Sequence, residues 1–376
     1  MIVNAGYRGK VAAGVPKFTY TGQYNQRDDG VVELLTSGTL VFLEPKVIDV
    51  FMVGGGGGGG RNPQYSEDMS ASIPFGGGGG GYTRTVKRVN VGANESFNIV
   101  VGSGGTSGSD GTASAFDTYS VNGGIRGGTG RTAAIGAVGG KGGSGGGGGA
   151  INSSNGGEGG TDGANGAAGY PSSYAGGAGQ LLTTREFGDT SGKLYAGGGG
   201  GGRIMVSATP ITSIGGAGGG GTGGFYNPTT KNYQVPAAGV ANTGGGGGGG
   251  TQSSQTDHTP GASGGSGIVC FREAQELPKL AGTWVLNERL YAPENAISQY
   301  ADFTATYGSS TINCTRAQIK TNEIVITSDA GRSITIYTFA SNAWKSGSKY
   351  ATWTFPAGAT ASDEFRAWLA SNATKQ

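Results

Sequence analysis

The stretch VIDVFMVGGGGGGG, residues 47–60, changes composition abruptly at its centre. Its first half carries branched and aromatic side chains typical of a β-strand, and its second half is seven consecutive glycines, Gly54 to Gly60. Glycine loses more backbone entropy on folding than any other residue, so an isolated run of this kind behaves as a flexible linker. The same change recurs along the chain, which leaves three alternatives: linkers, phosphate-binding loops, or a fold that requires glycine.

The spacing of the glycines favours the third alternative. Glycine makes up 83 of the 376 residues, and outside the pure runs it recurs every third residue at 102–111, 136–148, 157–169, 215–224 and 261–267. Three residues per turn is the period of the polyproline II conformation, whose outward-pointing backbone groups can bond a neighbouring helix only at close approach. Because a Cβ atom prevents that approach, the pattern predicts a packed polyglycine II lattice in preference to disordered linkers.

The pure glycine runs are predicted to be interior helices of this lattice, and the Gly-X-X ladders are predicted to be its outer helices. The pure runs are 54–60, 76–81, 145–149, 197–202 and 244–250. The residues predicted to form the lattice core are Gly54, Gly57, Gly60, Gly78, Gly147, Gly199 and Gly247. The ladders would show Ser, Thr, Asn and Ala to solvent.

The remaining sequence predicts β-structure before the lattice, within it and after it. Residues 1–53 form a predicted N-terminal β module that feeds the glycine-rich domain at 54–272, and residues 82–101 inside that domain form a predicted strand pair. A linker at 273–278 precedes a C-terminal α+β domain at 279–376. The predicted fold class is therefore mainly β and irregular, with packed polyproline II-type helices between the two β-containing parts.

The predicted C-terminal domain ends in one helix. Asp363 and Glu364 stand in its first turn, where acidic side chains interact favourably with the helix dipole, and Ser362 or Thr360 can cap it. All four tryptophans of the chain lie in this domain.

The chain has two cysteines, Cys270 in the glycine-rich domain and Cys314 in the C-terminal domain. Both are predicted to be free thiols.

Four connections between the glycine segments are rich in Tyr, Ser, Thr and Asn. They are residues 61–75, 170–196, 225–243 and 251–260. Antibody loops use the same composition for adaptable contacts, whereas most loops are simply solvated turns, and both interpretations stay open. The candidate receptor contacts in these loops are Tyr65, Tyr170, Tyr174, Tyr195, Phe225, Tyr226, Tyr233 and His258.

The order of three motifs resembles the glycine-rich domain of phage tail proteins. VIDVFMVGGGGGGG is followed by GGGGGGYTRTVKRVNV (76–91) and by the closing strand GGSGIVCFR (264–272), so the resemblance covers about residues 18–272. The segments AGTWVLNERLY and FRAWLASNATKQ are similar to a domain often appended to such proteins in phages and prophages of gut Firmicutes. The lattice is also similar in architecture to the tip adhesins of T-even-like phage tail fibres, which bind receptors through loops at the lattice end.

The resemblance implies a non-enzymatic virion protein of the distal tail that binds a bacterial cell-surface receptor, either a glycan or a protein. Its other implied partners are further virion and tail proteins and further copies of the chain, for example in a trimer. The implied location is the virion, after synthesis in the host bacterial cytoplasm. The alternative is a structural virion component, such as a baseplate, head-fibre or decoration protein, whose loops contact other virion subunits.

Several other functions are disfavoured by the residues. The charge balance of 26 basic and 24 acidic residues gives no driving force for nucleic-acid binding, and no apolar stretch is long enough to span a bilayer. Arg61 follows the first glycine run where a phosphate-binding loop has Lys-Ser/Thr, so no cofactor is expected. The single histidine, His258, and the isolated cysteines suit no metal, and the carboxylates show no catalytic spacing, so no catalytic residue is expected. Ice binding by the same lattice is a further alternative.

Overall fold

The computed structural model of the protein describes most of the chain, with gaps mainly in connecting segments. The described residues are 17–61, 73–129, 137–150, 163–169, 177, 184–189, 191–204, 213–227, 229–252, 258–286, 297–307, 310–320, 323–328, 333–337, 352–359, 361 and 363–376. The chain divides into two compact units, Met1–Ala274 and Gln275–Gln376.

Two five-stranded sheets form a sandwich in the first unit. The strands of this unit are β1 (Phe18–Tyr20), β2 (Tyr24–Gln26), β3 (Val32–Leu34), β4 (Gly38–Phe42), β5 (Lys46–Val53), β6 (Ile73–Pro74), β7 (Thr83–Val91), β8 (Ser96–Val100), β9 (Ser114–Phe116), β10 (Tyr119–Val121), β11 (Arg203–Ile204), β12 (Phe225–Tyr226), β13 (Tyr233–Gln234), β14 (Thr251–Gln252), β15 (His258–Thr259) and β16 (Ile268–Glu273). One sheet has the order β1-β4-β8-β9-β10 and the other has the order β2-β3-β16-β5-β7.

The position of strand β5 explains why its sequence is almost continuously apolar. Successive side chains of a strand point to opposite faces, and β5 is buried on both. Ile48, Val50 and Met52 pack between the two sheets, in a core that includes four phenylalanines. Phe51 and Val53 face the other way and pack beneath residues 184–196. The strand predicted at the start of VIDVFMVGGGGGGG is therefore a central strand of the sandwich.

The predicted strand pair at 82–101 is wrong in its pairing, although both strands exist. The chain turns near Gly92 as expected, with Asn94 in the left-handed region at φ 59°. Strand β7 then pairs with β5, whereas β8 pairs with β4 in the opposite sheet. The turn therefore crosses from one layer of the sandwich to the other, where each strand finds a partner that buries its apolar face.

The strands at 17–53 share both sheets with later strands. Strand β16, which follows the lattice, lies between β3 and β5, and β7 to β10 complete the sheets. The residues predicted as an N-terminal module thus form one sandwich together with segments from the middle and the end of the first unit.

The glycine runs form neither α-helix nor β-strand, and their hydrogen bonds follow a period of three. In the run 54–60, the N–H groups of successive residues turn in sequence to three different neighbours. The donor–acceptor pairs are Gly54–Tyr82, Gly57–Gly79 and Gly60–Gly76; Gly55–Thr112 and Gly58–Ser109; and Gly56–Gly265 and Gly59–Ala262, all between 2.8 and 3.0 Å. Three further segments donate to the carbonyls of this run, so six chains surround it. This is the packing of threefold helices in a lattice.

The lattice has four layers of such helices. The first contains 109–112, 122–128 and 137–141; the second contains 102–108, 54–60, 76–81 and 145–149; the third contains 261–267, 244–250 and 197–202; and the fourth contains 213–224 and 235–240. Bonds that join successive layers run from Gly79 to Ile125 (2.9 Å), from Gly78 to Gly247 (2.8 Å) and from Gly200 to Gly221 (2.9 Å). All five pure glycine runs lie in the second and third layers and are buried, and they include each of the seven predicted core glycines.

The second unit has a seven-stranded sheet and a helix near its end. Its elements are β17 (Gly282–Leu286), β18 (Ile297–Tyr307), β19 (Ser310–Lys320), β20 (Glu323–Ser328), β21 (Ser333–Tyr337), β22 (Thr352–Phe355), α1 (Asp363–Asn372) and β23 (Ala373–Lys375). Trp353 of β22 is fully buried and stacks on Phe365 of α1, with ring centroids 6.3 Å apart. The predicted caps at Thr360 and Ser362 lie outside the described residues. With this unit, the predicted mainly β fold class is confirmed.

Candidate functional site

The lattice has two ends with different structures. Strand β5 leads the chain into the run 54–60. The run 76–81 lies antiparallel to 54–60 and leads the chain back into β7, so one end of the lattice joins the sandwich. We call this the sheet end. The opposite end, which we call the distal end, carries two small sheets with the orders β15-β14-β6 and β11-β12-β13. The distal end is therefore where the connections farthest from the sandwich emerge.

The structure separates the predicted contact residues between these ends. Phe225, Tyr226 and Tyr233 lie in the distal sheets, and His258 lies in the distal strand β15. Tyr195 lies at the sheet end. The other three candidates, Tyr65, Tyr170 and Tyr174, lie outside the described residues.

Tyr195 is not a surface contact, which corrects its prediction as a receptor-binding residue. Its side chain is fully buried, its ring centroid lies 5.3 Å from that of Phe51, and its hydroxyl donates to Glu186 at 3.1 Å. Burial, together with the nearby Cys270 thiol and Glu186 carboxylate, raises the pKa of the Tyr195 hydroxyl. The sequence held a signal for this placement, because Tyr195 stands just before an interior glycine run, as Val53 and Phe75 do, and both of these are buried.

The best-defined distal feature is the hairpin formed by β12 and β13, residues 225–234. Its loop is held by Asn227, whose side-chain oxygen accepts hydrogen bonds from the N–H groups of Thr229 (2.9 Å) and Thr230 (3.2 Å). The N–H of Asn227 donates to the carbonyl of Asn232 at 2.8 Å, and Lys231 occupies the left-handed region at φ 61°. Side-chain-to-backbone bonds of this kind fix a turn before any ligand binds.

The hairpin is anchored on the lattice and exposes one aromatic ring. Strand β12 pairs in parallel with β11, which directly follows the interior run 197–202. Tyr226 is buried at 7 % exposure, so it anchors the hairpin, and this corrects its prediction as a receptor contact. Phe225 is half-buried. Tyr233, by contrast, is 64 % exposed. An exposed tyrosine offers a flat apolar ring and a hydroxyl, which suit a glycan or a protein surface.

Sequence reasoning did not single out the polar residues of this loop. Thr229, Thr230 and Asn232 are exposed and surround Lys231, which is exposed as well. The signal was present in the cluster NPTTKN between the two short strands, which is typical turn chemistry. Together with Tyr233, these residues form a polar, weakly basic patch of the distal end that exposes an aromatic ring.

The described residues also bear on two other kinds of site. No group of three or more His, Cys, Asp and Glu side chains that could hold a metal ion occurs in that part of the chain. Likewise, none of the described helices has the length and the apolar character needed to cross a bilayer.

A β-sandwich that leads into a layered lattice of glycine helices defines a glycine-rich lattice protein. Residues 36–274 match the glycine-rich domain family, so the chain belongs to that family. The match begins before β4 and ends just after β16, and it therefore contains the whole lattice. No curated protein matches the chain, and no solved structure matches it.

Proposed function

We propose that the chain is a non-enzymatic virion protein of a phage's distal tail that binds a receptor on the bacterial surface through loops at the distal end of the lattice. The observation that carries the proposal is the pre-organised hairpin 225–234, which presents Tyr233 at the end opposite to the sandwich. The motif order that resembles phage tail proteins supports it. Receptor and other tail proteins are its partners, and the virion is its location.

The lattice suits this role because it holds a binding loop on a rigid base. Successive glycines of an interior run bond to different neighbouring helices, so each run that leads to a distal strand is tied to the lattice on several sides. A loop whose conformation is fixed in advance loses less entropy on binding and gains affinity. The composition of the hairpin loop, with hydroxyl, amide and aromatic groups, suits contacts to a glycan or a polar protein surface.

The first test is binding of the purified full chain to intact cells of the bacterial strain that the parent phage infects. We expect the protein to bind these cells and to block adsorption of the phage. The absence of binding at micromolar protein would refute the receptor proposal. If exchange of the hairpin loop disturbs virion assembly and leaves host range unchanged, the chain is instead a structural virion component.

Substitution Tyr233→Ala is expected to weaken cell binding by about ten- to a hundredfold, the loss typical of a central aromatic contact. Its melting temperature should stay within about 1–2 °C of wild type, because exposed side chains contribute little to stability. The matched control is Tyr24→Ala, since Tyr24 is also exposed, at 47 %, but lies in the sandwich. Equal loss of binding in both variants, or none in Tyr233→Ala, would remove the hairpin from the contact surface.

A further inference from the structure

A short segment covers part of the outer face of the sheet β2-β3-β16-β5-β7. We call it the strap, and it consists of residues 184–189 and 191–195. The strap folds back on itself, and the N–H of Glu186 donates to the carbonyl of Lys193 at 3.0 Å. Among the residues that the structure describes, no backbone hydrogen bond joins the strap to a strand of this sheet. The strap is therefore held on the sandwich by side chains.

Ion pairs attach the strap at two places on the sandwich. Both carboxylate oxygens of Glu186 accept hydrogen bonds at 2.7 Å from Arg27, which lies in the turn between β2 and β3. Asp189 lies 3.4 Å from Arg272 of β16, and the same guanidinium nitrogen lies 3.4 Å from Asp49 of β5. Hydrogen bonds between ionised groups are stronger than those between neutral groups. These two places therefore supply most of the polar attachment of the strap.

Two aromatic rings of the strap lie over β5. The ring centroids of Phe187 and Tyr195 lie 5.9 Å and 5.3 Å from that of Phe51. Phe187 adopts φ 53° and ψ 10°, in the left-handed region that a bulky side chain rarely occupies. A strained conformation of this kind persists only where the surrounding contacts hold it. The backbone at Phe187 therefore favours release of the strap, whereas the ion pairs and the ring contacts oppose it.

We propose that the strap is a conformational device that opens as a unit while the sandwich and the lattice stay folded. Opening breaks side-chain contacts and leaves the hydrogen-bonded ladders of the sheet intact, so it requires less free energy than unfolding of the whole unit. It uncovers the outer face of β16 and β5, where Cys270 lies opposite Phe51 and both side chains are fully buried. The strap thus controls access to this face.

The test is alkylation of the Cys270 thiol by iodoacetamide in the folded full chain, with peptide mass spectrometry to separate its rate from that of Cys314. While the strap is closed, burial shields the Cys270 thiol and raises its pKa, so the thiol reacts only after opening. We expect Cys270 to react at a rate that stays constant up to about 1 M urea, because a local opening exposes little new surface. A rate that rises with urea in parallel with global unfolding, or no reaction before unfolding, overturns the proposal.

Glu186→Gln is expected to speed the alkylation of Cys270 by about ten- to a hundredfold, because it removes the charge from one of the two attachments. Arg27 keeps Glu33 as a partner at 3.5 Å, so the variant leaves no arginine charge unpaired. The urea dependence is measured again in this variant. A constant rate shows faster opening of the strap, whereas a rate that follows urea shows a general loss of stability and contradicts the proposal.

The matched control is Asp110→Asn, which also removes one carboxylate charge from an ion pair. Asp110 lies 3.4 Å from Arg126 on the first layer of the lattice, away from the strap. We expect the alkylation rate of Cys270 to be the same in this variant as in the wild type. Equal acceleration by Asp110→Asn and Glu186→Gln, or acceleration by neither, would show that the strap does not control access to Cys270.

Discussion

The variant Gly57→Ala is expected to lose about 3 kcal/mol of unfolding free energy, which lowers the melting temperature of the first unit by roughly 6–12 °C. A Cβ atom at Gly57 would lie 2.2 Å from the carbonyl oxygen of Ile125 and 2.4 Å from its carbonyl carbon. Both atoms belong to the backbone of a packed neighbour, so no side chain can turn away to make room. The neighbouring helix must move, and the hydrogen bonds that it shares with other layers must lengthen.

The control for this prediction is Gly92→Ala. Its Cβ would meet only the Glu95 side chain, whose carboxylate oxygen lies 3.2 Å away and accepts a hydrogen bond from the Gly92 N–H, so we expect a loss of at most about 1 kcal/mol. Unfolding is best followed by calorimetry or circular dichroism. All four tryptophans lie in the second unit, so their fluorescence serves as an internal reference that should not change. If Gly57→Ala melts with the wild type, close packing does not require this glycine and the lattice interpretation fails.

The second large effect is expected at Arg27, where substitution by methionine should cost about 3 kcal/mol. One guanidinium nitrogen of Arg27 lies 2.7 Å from both carboxylate oxygens of Glu186, whose side chain is only 5 % exposed. The same nitrogen lies 3.5 Å from Glu33, which is also nearly buried. Arg27→Met therefore leaves two carboxylates without this counter-charge at the place where residues 184–196 cover β5. Urea unfolding followed by circular dichroism measures the loss.

A second substitution separates this mechanism from a simple packing defect. Glu186→Gln in the Arg27→Met background removes the buried carboxylate charge that Arg27→Met leaves without its partner. We expect the double variant to recover at least about 1 kcal/mol relative to Arg27→Met, a coupling typical of contacting residues. If the losses of unfolding free energy in Arg27→Met and in Glu186→Gln add up to the loss in the double variant, the ion pair contributes nothing beyond its two side chains.

The sequence was most informative about the lattice, because its determinant is a single physical requirement. Close backbone packing excludes Cβ, so the phase of the glycines predicted the interior helices and several of the outer ones. It missed the outer helices 122–128 and 235–240, and the second of these had been predicted as part of the connection 225–243. Most strands of the sandwich were visible as branched and aromatic runs, whereas the short strands β9 and β10 were not predicted. Their partners were not, because β7 and β8 are adjacent in the chain and the choice between one sheet and two depends on the packing of β4 and β5.

The candidate site was predictable only in part. Composition identified the segment that contains the hairpin and its exposed Tyr233, but it could not distinguish Tyr233 from Tyr195. Both are tyrosines in polar connections, and their difference is the end of the lattice at which each connection lies. That end follows from the direction of every preceding helix, which no local pattern contains.

The chain enters the lattice from β5 and leaves it into β16, and these two strands pair with each other. Between them, the interior glycine runs contact their neighbours through backbone groups, so only the length and the phase of a run distinguish it from the other runs. We therefore expect the sandwich to set the register of the lattice helices, because the strands at both chain ends of the lattice pair with each other there. A distal connection can then be rewritten, or lengthened, without any compensating change in the lattice, which leaves the distal surface free to diversify while the scaffold stays the same.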